Sequence, residues 1–143
     1  MCMMCNGLTR QEYWGWVRGQ VLRYGWFLQA VEGAGERTPP FAYTIGLSRW
    51  DHPEVIVFGM HPGCDHEAVS PVAEAVMAGR RFDEGDDLSD LYEFAEPVEL
   101  LWFPDSSTHL HLANDMYRGA GKPPVPALQL YCPTEVPLLR RPA

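Results

Sequence analysis

No stretch of this chain approaches the roughly 18 consecutive apolar residues that a membrane-spanning helix requires, so no span of that kind is expected. The opening Met1-Cys2-Met3-Met4-Cys5-Asn6 has neither the positive n-region nor the apolar h-region of a secretory signal, which makes a cytoplasmic location the expectation. Positive charge is scarce as well: 11 Lys and Arg stand against 19 Asp and Glu, for a net charge of −8. A phosphate backbone is repelled by such a surface unless a basic patch compensates. The only basic clusters are the short pairs Arg80-Arg81 and Arg140-Arg141. Nucleic acid is therefore an unfavourable partner, whereas a small polar or cationic one is not. There is no P-loop, no G-x-S-x-G and no H-E-x-x-H, and nothing singles out a nucleophilic serine. The acidic run Asp83, Glu84, Asp86, Asp87, Asp90 lacks the ligand order of an EF-hand and reads as a solvated loop.

What is present suits one globular domain. A chain of 143 residues can close a single core, and a hydrophobic share of 46% with 21% charged residues argues against disorder. Aromatics make up 12%, with five Trp, enough to bury large areas and to line part of a concave surface.

Periodicity and punctuation supply the elements. Thr9-Arg10-Gln11-Glu12 has capping-box spacing, and Tyr13, Trp14, Val17, Val21 and Tyr24 recur at helical intervals up to Gly25, which predicts a helix over 10–24. Strands are expected at Trp26–Val31, Phe41–Leu47 and Glu54–Met60, the third nearly all apolar and so buried on both faces. Val69, Val72, Ala73, Val76 and Met77 form a helical stripe ended by Gly79. Pro71 lies within it, so the helix either begins at Ser70 or runs from about Asp65 through the proline, and the longer form is favoured. A strand at Val98–Phe103, a short helix around Leu110–Tyr117 and a last strand at Ala127–Tyr131 complete the order. The fold class is α+β: one domain with a mixed or mostly antiparallel sheet of about five strands, two main helices and one short helix.

Several separated motifs resemble one family. Met1-Cys2 with Cys5, Tyr24-Gly25-Trp26, Pro40 to Leu47, His52-Pro53-Glu54 and Ala127-Leu128-Gln129-Leu130 are similar to DUF4262 proteins, a group found mostly in bacteria and their phages as stand-alone proteins. The resemblance implies no activity, because that name records a domain of unknown function. Similar proteins commonly continue past the last strand with an acidic, Gly-containing turn and a Pro-Trp pair. This chain instead runs Pro133-Thr134-Glu135-Val136-Pro137. If such a tail closes a ligand site in the family, the site here is more open or is completed by a partner.

Four constellations could carry chemistry. Cys2-x-x-Cys5 can place two thiolates on one metal, can act as a redox dithiol, or can be two plain thiols near a terminus. A zinc site needs two more ligands; the supply is His52, His61, Cys64, His66, His109, His111 and Cys132, with His61, His66, His109 and His111 the candidates. His61-Pro62-Gly63-Cys64-Asp65-His66 follows the third strand, where ligands are often presented; its plain alternative is a polar loop with Asp65 as helix cap. His109 and His111 share a face if extended and diverge if helical, and capping or surface roles are the commoner fate near a helix start. Finally, Tyr43, Thr44, Gly46, Glu54 and His61 are candidate ligand-binding residues. Tyr43, Ile45 and Leu47 should face one side of the strand and Thr44 and Gly46 the other. Gly46 suggests a bulge or the close approach of a ligand or another backbone. Glu54 could serve as an acid or base if buried, or could cap backbone groups. These features favour a domain that binds zinc, a small ligand, or both; the alternative is a non-catalytic protein–protein interaction or regulatory accessory protein.

Overall fold

The computed structural model describes residues 9–32, 39–59, 64–88, 90–92 and 98–131. Cys2, Cys5, His61 and Cys132 lie outside the described residues. Helix α1 spans Arg10–Tyr24 and starts on the expected capping box: Thr9 accepts from the Glu12 N–H, and the Glu12 carboxylate accepts from the Thr9 N–H. It ends at Gly25, whose N–H still bonds the Val21 carbonyl at 2.8 Å and whose φ of 95° then turns the chain out of the helix. Val17 and Val21 are its buried residues, whereas Tyr24, expected on the same stripe, is exposed.

Strand β1 (Phe27–Val31) pairs antiparallel with β2 (Phe41–Ile45), and β2 pairs antiparallel with β3 (Glu54–Phe58). Helix α2 (Cys64–Met77) then leads to β4 (Glu99–Trp102), the one-turn helix α3 (Ser106–His109), helix α4 (His111–Tyr117) and β5 (Ala127–Tyr131). Strand β5 enters between β3 and β4, parallel to the first and antiparallel to the second, so the order is β1-β2-β3-β5-β4. The five-stranded sheet is mixed and the class is α+β, as expected from the order of elements. Among the described residues no helix is long and apolar enough to cross a membrane.

Alternation divides the sheet into two buried faces. On one, Val55, Val57, Leu128 and Leu130 meet Ala68, Val69, Val72, Ala73 and Val76 of α2. On the other, Tyr43, Ile45, Ile56 and Ala127 meet Val17 and Val21 of α1 and Leu110 and Ala113 beside or in α4. Strand β3 is covered on both sides, which accounts for its unbroken apolar run. Helix α2 continues through Pro71, in the longer of its two expected forms. Proline in a helix interior costs about 3 kcal/mol, and the five apolar side chains that α2 buries offset it.

The β4 edge is protected from further pairing. The Trp102 N–H donates to the Glu84 carboxylate at 2.6 Å, and the Leu100 carbonyl accepts from the Gly85 N–H at 3.1 Å. The acidic loop thus has a structural use while its side chains at 83–87 stay exposed.

Strand β2 ends at Ile45, two residues earlier than expected, and a 3₁₀ turn follows over Leu47–Trp50. Leu47 therefore packs on the α2 face rather than beside Tyr43 and Ile45, which corrects the alternation expected for it. His52 pins the next turn: its Nδ1 lies 2.8 Å from the Pro53 carbonyl and its Nε2 accepts from the Phe82 N–H at 2.9 Å. Both nitrogens are used by a neutral ring protonated on Nδ1. Burial depresses its pKa, with the nearby Arg81 acting the same way and the Pro53 carbonyl and Asp83 opposing. A depressed pKa means that the unfolded chain takes up the proton first. The stability His52 contributes is complete above its unfolded pKa of about 6.5 and falls as pH drops through the folded value. His52→Gln keeps an acceptor for Phe82 but cannot titrate. Denaturant melts between pH 7.5 and 5 are expected to show wild type losing stability relative to this variant as pH falls. Glu54, whose pKa shifts upward, weakens the fold in the opposite direction of pH but is common to both proteins. A constant difference across that range would refute the assignment.

Candidate functional site

Glu54 is fully buried at the start of β3 and accepts five hydrogen bonds. Thr44 Oγ1 and the Leu47 N–H donate to Oε1 at 2.7 and 3.1 Å. The Gly46 and Ser48 N–H groups and Ser48 Oγ donate to Oε2 at 3.2, 3.0 and 2.6 Å. Burial pushes the carboxyl upward, and the Ser48 and Thr44 hydroxyls with the backbone N–H groups oppose that rise. Thr44 Oγ1 also accepts from the Val55 N–H at 2.9 Å. Of the two roles open to Glu54, the geometry matches the capping one: the carboxylate closes the N-terminal end of the 3₁₀ turn from across the strand. Gly46 is where another backbone approaches. Its φ is 128°, and a Cβ there would sit 2.8 Å from the Gly25 carbonyl oxygen and 3.0 Å from Trp26 Cα.

Tyr43 is placed differently. It is 2% exposed, and its hydroxyl accepts from the Leu112 N–H in the first turn of α4 at 3.0 Å. Burial raises its pKa, the Leu112 N–H opposing, so the phenol keeps its proton. That proton has no acceptor among the described residues. The side chain lies in the floor of a groove of about 610 Å³ bounded by α1, the β1–β2 ribbon and the α3–α4 turn. Ligand sites commonly fall in this size range.

The groove's walls follow from strand register. Gln29 pairs with Tyr43 and Val31 with Phe41, which puts all four on the α1 face. Tyr13 of α1 donates from its hydroxyl to Gln29 Oε1 at 2.5 Å, and Gln29 Nε2 donates to the Ala30 carbonyl at 3.0 Å. This amide is therefore held in one orientation. At the rim, Arg10 and Asp115 form an ion pair at 2.7 Å. Both side chains are well exposed, so the pair, which spans from the start of α1 to α4, adds little stability.

His109 and His111 both line this groove. The His109 ring lies 5.1 Å from Phe41, 5.7 Å from Phe58 and 5.1 Å from Phe103, centroid to centroid. His66 lies elsewhere. It stacks on Trp26 at 5.3 Å, and Trp26 packs against the α2 face of the sheet. The sheet thus separates His66 from the His109–His111 pair. Asp65 is already inside α2, accepting from the His66 N–H at 2.8 Å, so the helix begins before it rather than on it as a cap. Cys64 is a free thiol at the first residue of α2. Among the described residues, no three His, Cys, Asp or Glu side chains gather closely enough to hold a metal ion.

The candidate residues therefore part company. Tyr43 reaches the groove, while Thr44, Gly46 and Glu54 are committed to one another and to the backbone. Tyr13, Gln29 and Asp115 belong to the groove but carry no motif. A polar Gln in the middle of an otherwise apolar strand was the available signal for one of them.

Sheet and groove together define an α+β domain with one mixed sheet and a ligand-sized recess on its α1–α4 face. Residues 20–136 match the family model of DUF4262, a domain of unknown function, and the chain belongs to that family. No curated protein and no solved structure matches it.

Proposed function

We propose that this domain binds a small organic ligand in the groove between α1, the β1–β2 ribbon and the α3–α4 turn. The observation that carries this reading is Tyr43: nearly excluded from solvent, lining the recess, with a hydroxyl proton that no group among the described residues accepts. Buried polar groups are ordinarily satisfied, and a ligand acceptor would complete this one. Phe41 and the Tyr13 ring supply apolar wall, and Arg10, His111 and Asp115 supply a polar rim. In Tyr43→Phe the Leu112 N–H loses its acceptor, which is expected to cost about 1 kcal/mol of stability. Ligand affinity is expected to fall about tenfold through loss of one buried hydrogen bond. A thermal-shift screen of small molecules on both proteins checks this. Compounds that stabilise wild type and variant equally would remove Tyr43 from the contact.

A second reading keeps zinc. Arg10 at the start of α1 and His111 line the same groove, and Cys5 precedes Arg10 by five residues. That length of chain reaches at most about 18 Å. Cys2 and Cys5 would supply thiolates and His109 and His111, which line the groove, the imidazoles, while His66 lies on the α2 face of the sheet. Protein purified without a polyhistidine tag is expected to carry about one zinc per chain, lost in the Cys2→Ser, Cys5→Ser double variant. Substoichiometric content of every transition metal would end this reading.

A further inference from the structure

His109 carries a tautomer that the local hydrogen bonds decide. Three contacts meet at the α3 turn: Thr108 Oγ1 lies 2.9 Å from the Asp105 carbonyl, His109 Nδ1 lies 2.8 Å from Thr108 Oγ1, and Nδ1 lies 3.2 Å from the same carbonyl. A carbonyl only accepts, so the Thr108 hydroxyl must send its proton there. Its lone pair then receives the proton on His109 Nδ1, which also leans toward the Asp105 carbonyl. The opposite tautomer would set the Nδ1 lone pair against that carbonyl oxygen. With Nδ1 protonated, a neutral His109 keeps its free lone pair on Nε2, and no described residue hydrogen-bonds that atom. Outer contacts of this kind fix an imidazole for a job at its other nitrogen.

The groove therefore holds two uncommitted and complementary groups: the proton of Tyr43 and the Nε2 lone pair of His109. Phe41 neighbours both, its ring 6.3 Å from that of Tyr43 and 5.1 Å from that of His109. We propose that the ligand is a small planar amide, whose carbonyl accepts from Tyr43 and whose N–H donates to His109 Nε2. This inference rests on the groove being a ligand site and adds the class of ligand. A carboxylate would satisfy Tyr43 but bring a second lone pair to Nε2. An amine would satisfy Nε2 and leave the Tyr43 proton unmatched. Each mismatch leaves one of the two groups without its partner inside the complex, the kind of contact that discriminates between close analogues.

The experiment compares benzamide, benzoate and benzylamine by NMR titration of the full chain, followed at the groove residues. Benzamide is expected to bind about tenfold more tightly than either control. Tyr43→Phe and His109→Phe should each abolish that preference, the second keeping an aromatic ring among the three phenyls. Long-range ¹⁵N–¹H correlations on wild type should show the His109 proton on Nδ1 and a bare Nε2, a readout that needs no variant to fold. A proton found on Nε2 overturns the proposal. If all three probes bind the groove equally, the amide class falls and the groove reading stands. If none binds there, both fall.

Discussion

Glu54→Gln is expected to lose about 3 kcal/mol of stability, although the side chain keeps its size and shape. All five of its partners donate, so a carboxylate fits and an amide does not. The better amide orientation turns the NH₂ toward Thr44, whose hydroxyl can rotate and accept. The Leu47 N–H, which cannot rotate, is then left facing a donor inside the protein. Glu54→Ala strips all five donors at once and is expected to cost about 5 kcal/mol or more, enough to threaten folding. Urea denaturation of Glu54→Gln checks the first figure. A loss under about 1 kcal/mol would mean that the carboxylate is not the cap of the 3₁₀ turn.

Gly46→Ala carries the second large effect, through the backbone. A φ of 128° is a conformation that residues with a Cβ rarely adopt. The space is also taken: the added carbon would come within 2.8 Å of the Gly25 carbonyl oxygen, 3.0 Å of Trp26 Cα and 3.1 Å of Val21 Cγ1. Two of those three atoms are main chain and cannot swing away. Strain and displacement together are expected to cost about 3 kcal/mol. Because Gly25 and Trp26 join α1 to β1, the variant should also loosen the α1 side of the groove. Calorimetry is expected to show a melting temperature lower by roughly 10 °C, and hydrogen exchange to show faster opening at Val21 and Gly25. An unchanged melting temperature would refute the close approach.

The two predictions concern neighbours, because Gly46 donates to Glu54 and the turn that Glu54 caps begins at Gly46. Their motif was visible in the sequence and its structural meaning only partly so. A glycine at the end of a β-branched and aromatic strand suggested a bulge or the close approach of a ligand or another backbone, and what approaches is the backbone of Gly25 and Trp26 just after α1. A glutamate after proline offered both catalysis and capping, and one sequence cannot choose, because the choice depends on donors six to ten residues away. Helix α1 was legible to the residue, since a capping box and a C-terminal glycine are local signals. The insertion of β5 between β3 and β4 was not, because pairing partners are set by packing across the whole chain. The groove was the least legible part. Tyr43 stood out, but its partners Tyr13, Gln29, His109 and Asp115 come from four different elements and meet only after folding. The pair His109 and His111 was visible as a pair. What the sequence could not supply was Thr108 and the Asp105 carbonyl turning one imidazole into a fixed acceptor.

The recess on the α1–α4 face is the centre of this account, and mapping a stabilising compound onto the chain tests it most directly. With backbone resonances assigned, a compound from the thermal-shift screen is expected to perturb Arg10, Tyr13, Gln29, Tyr43, His109 and Leu112 while leaving Trp26, His66 and Ser70 on the opposite face unmoved. Perturbation centred on Trp26 and His66, or around the separate hollow of about 340 Å³ beside His52, Tyr117 and Lys122, would contradict it.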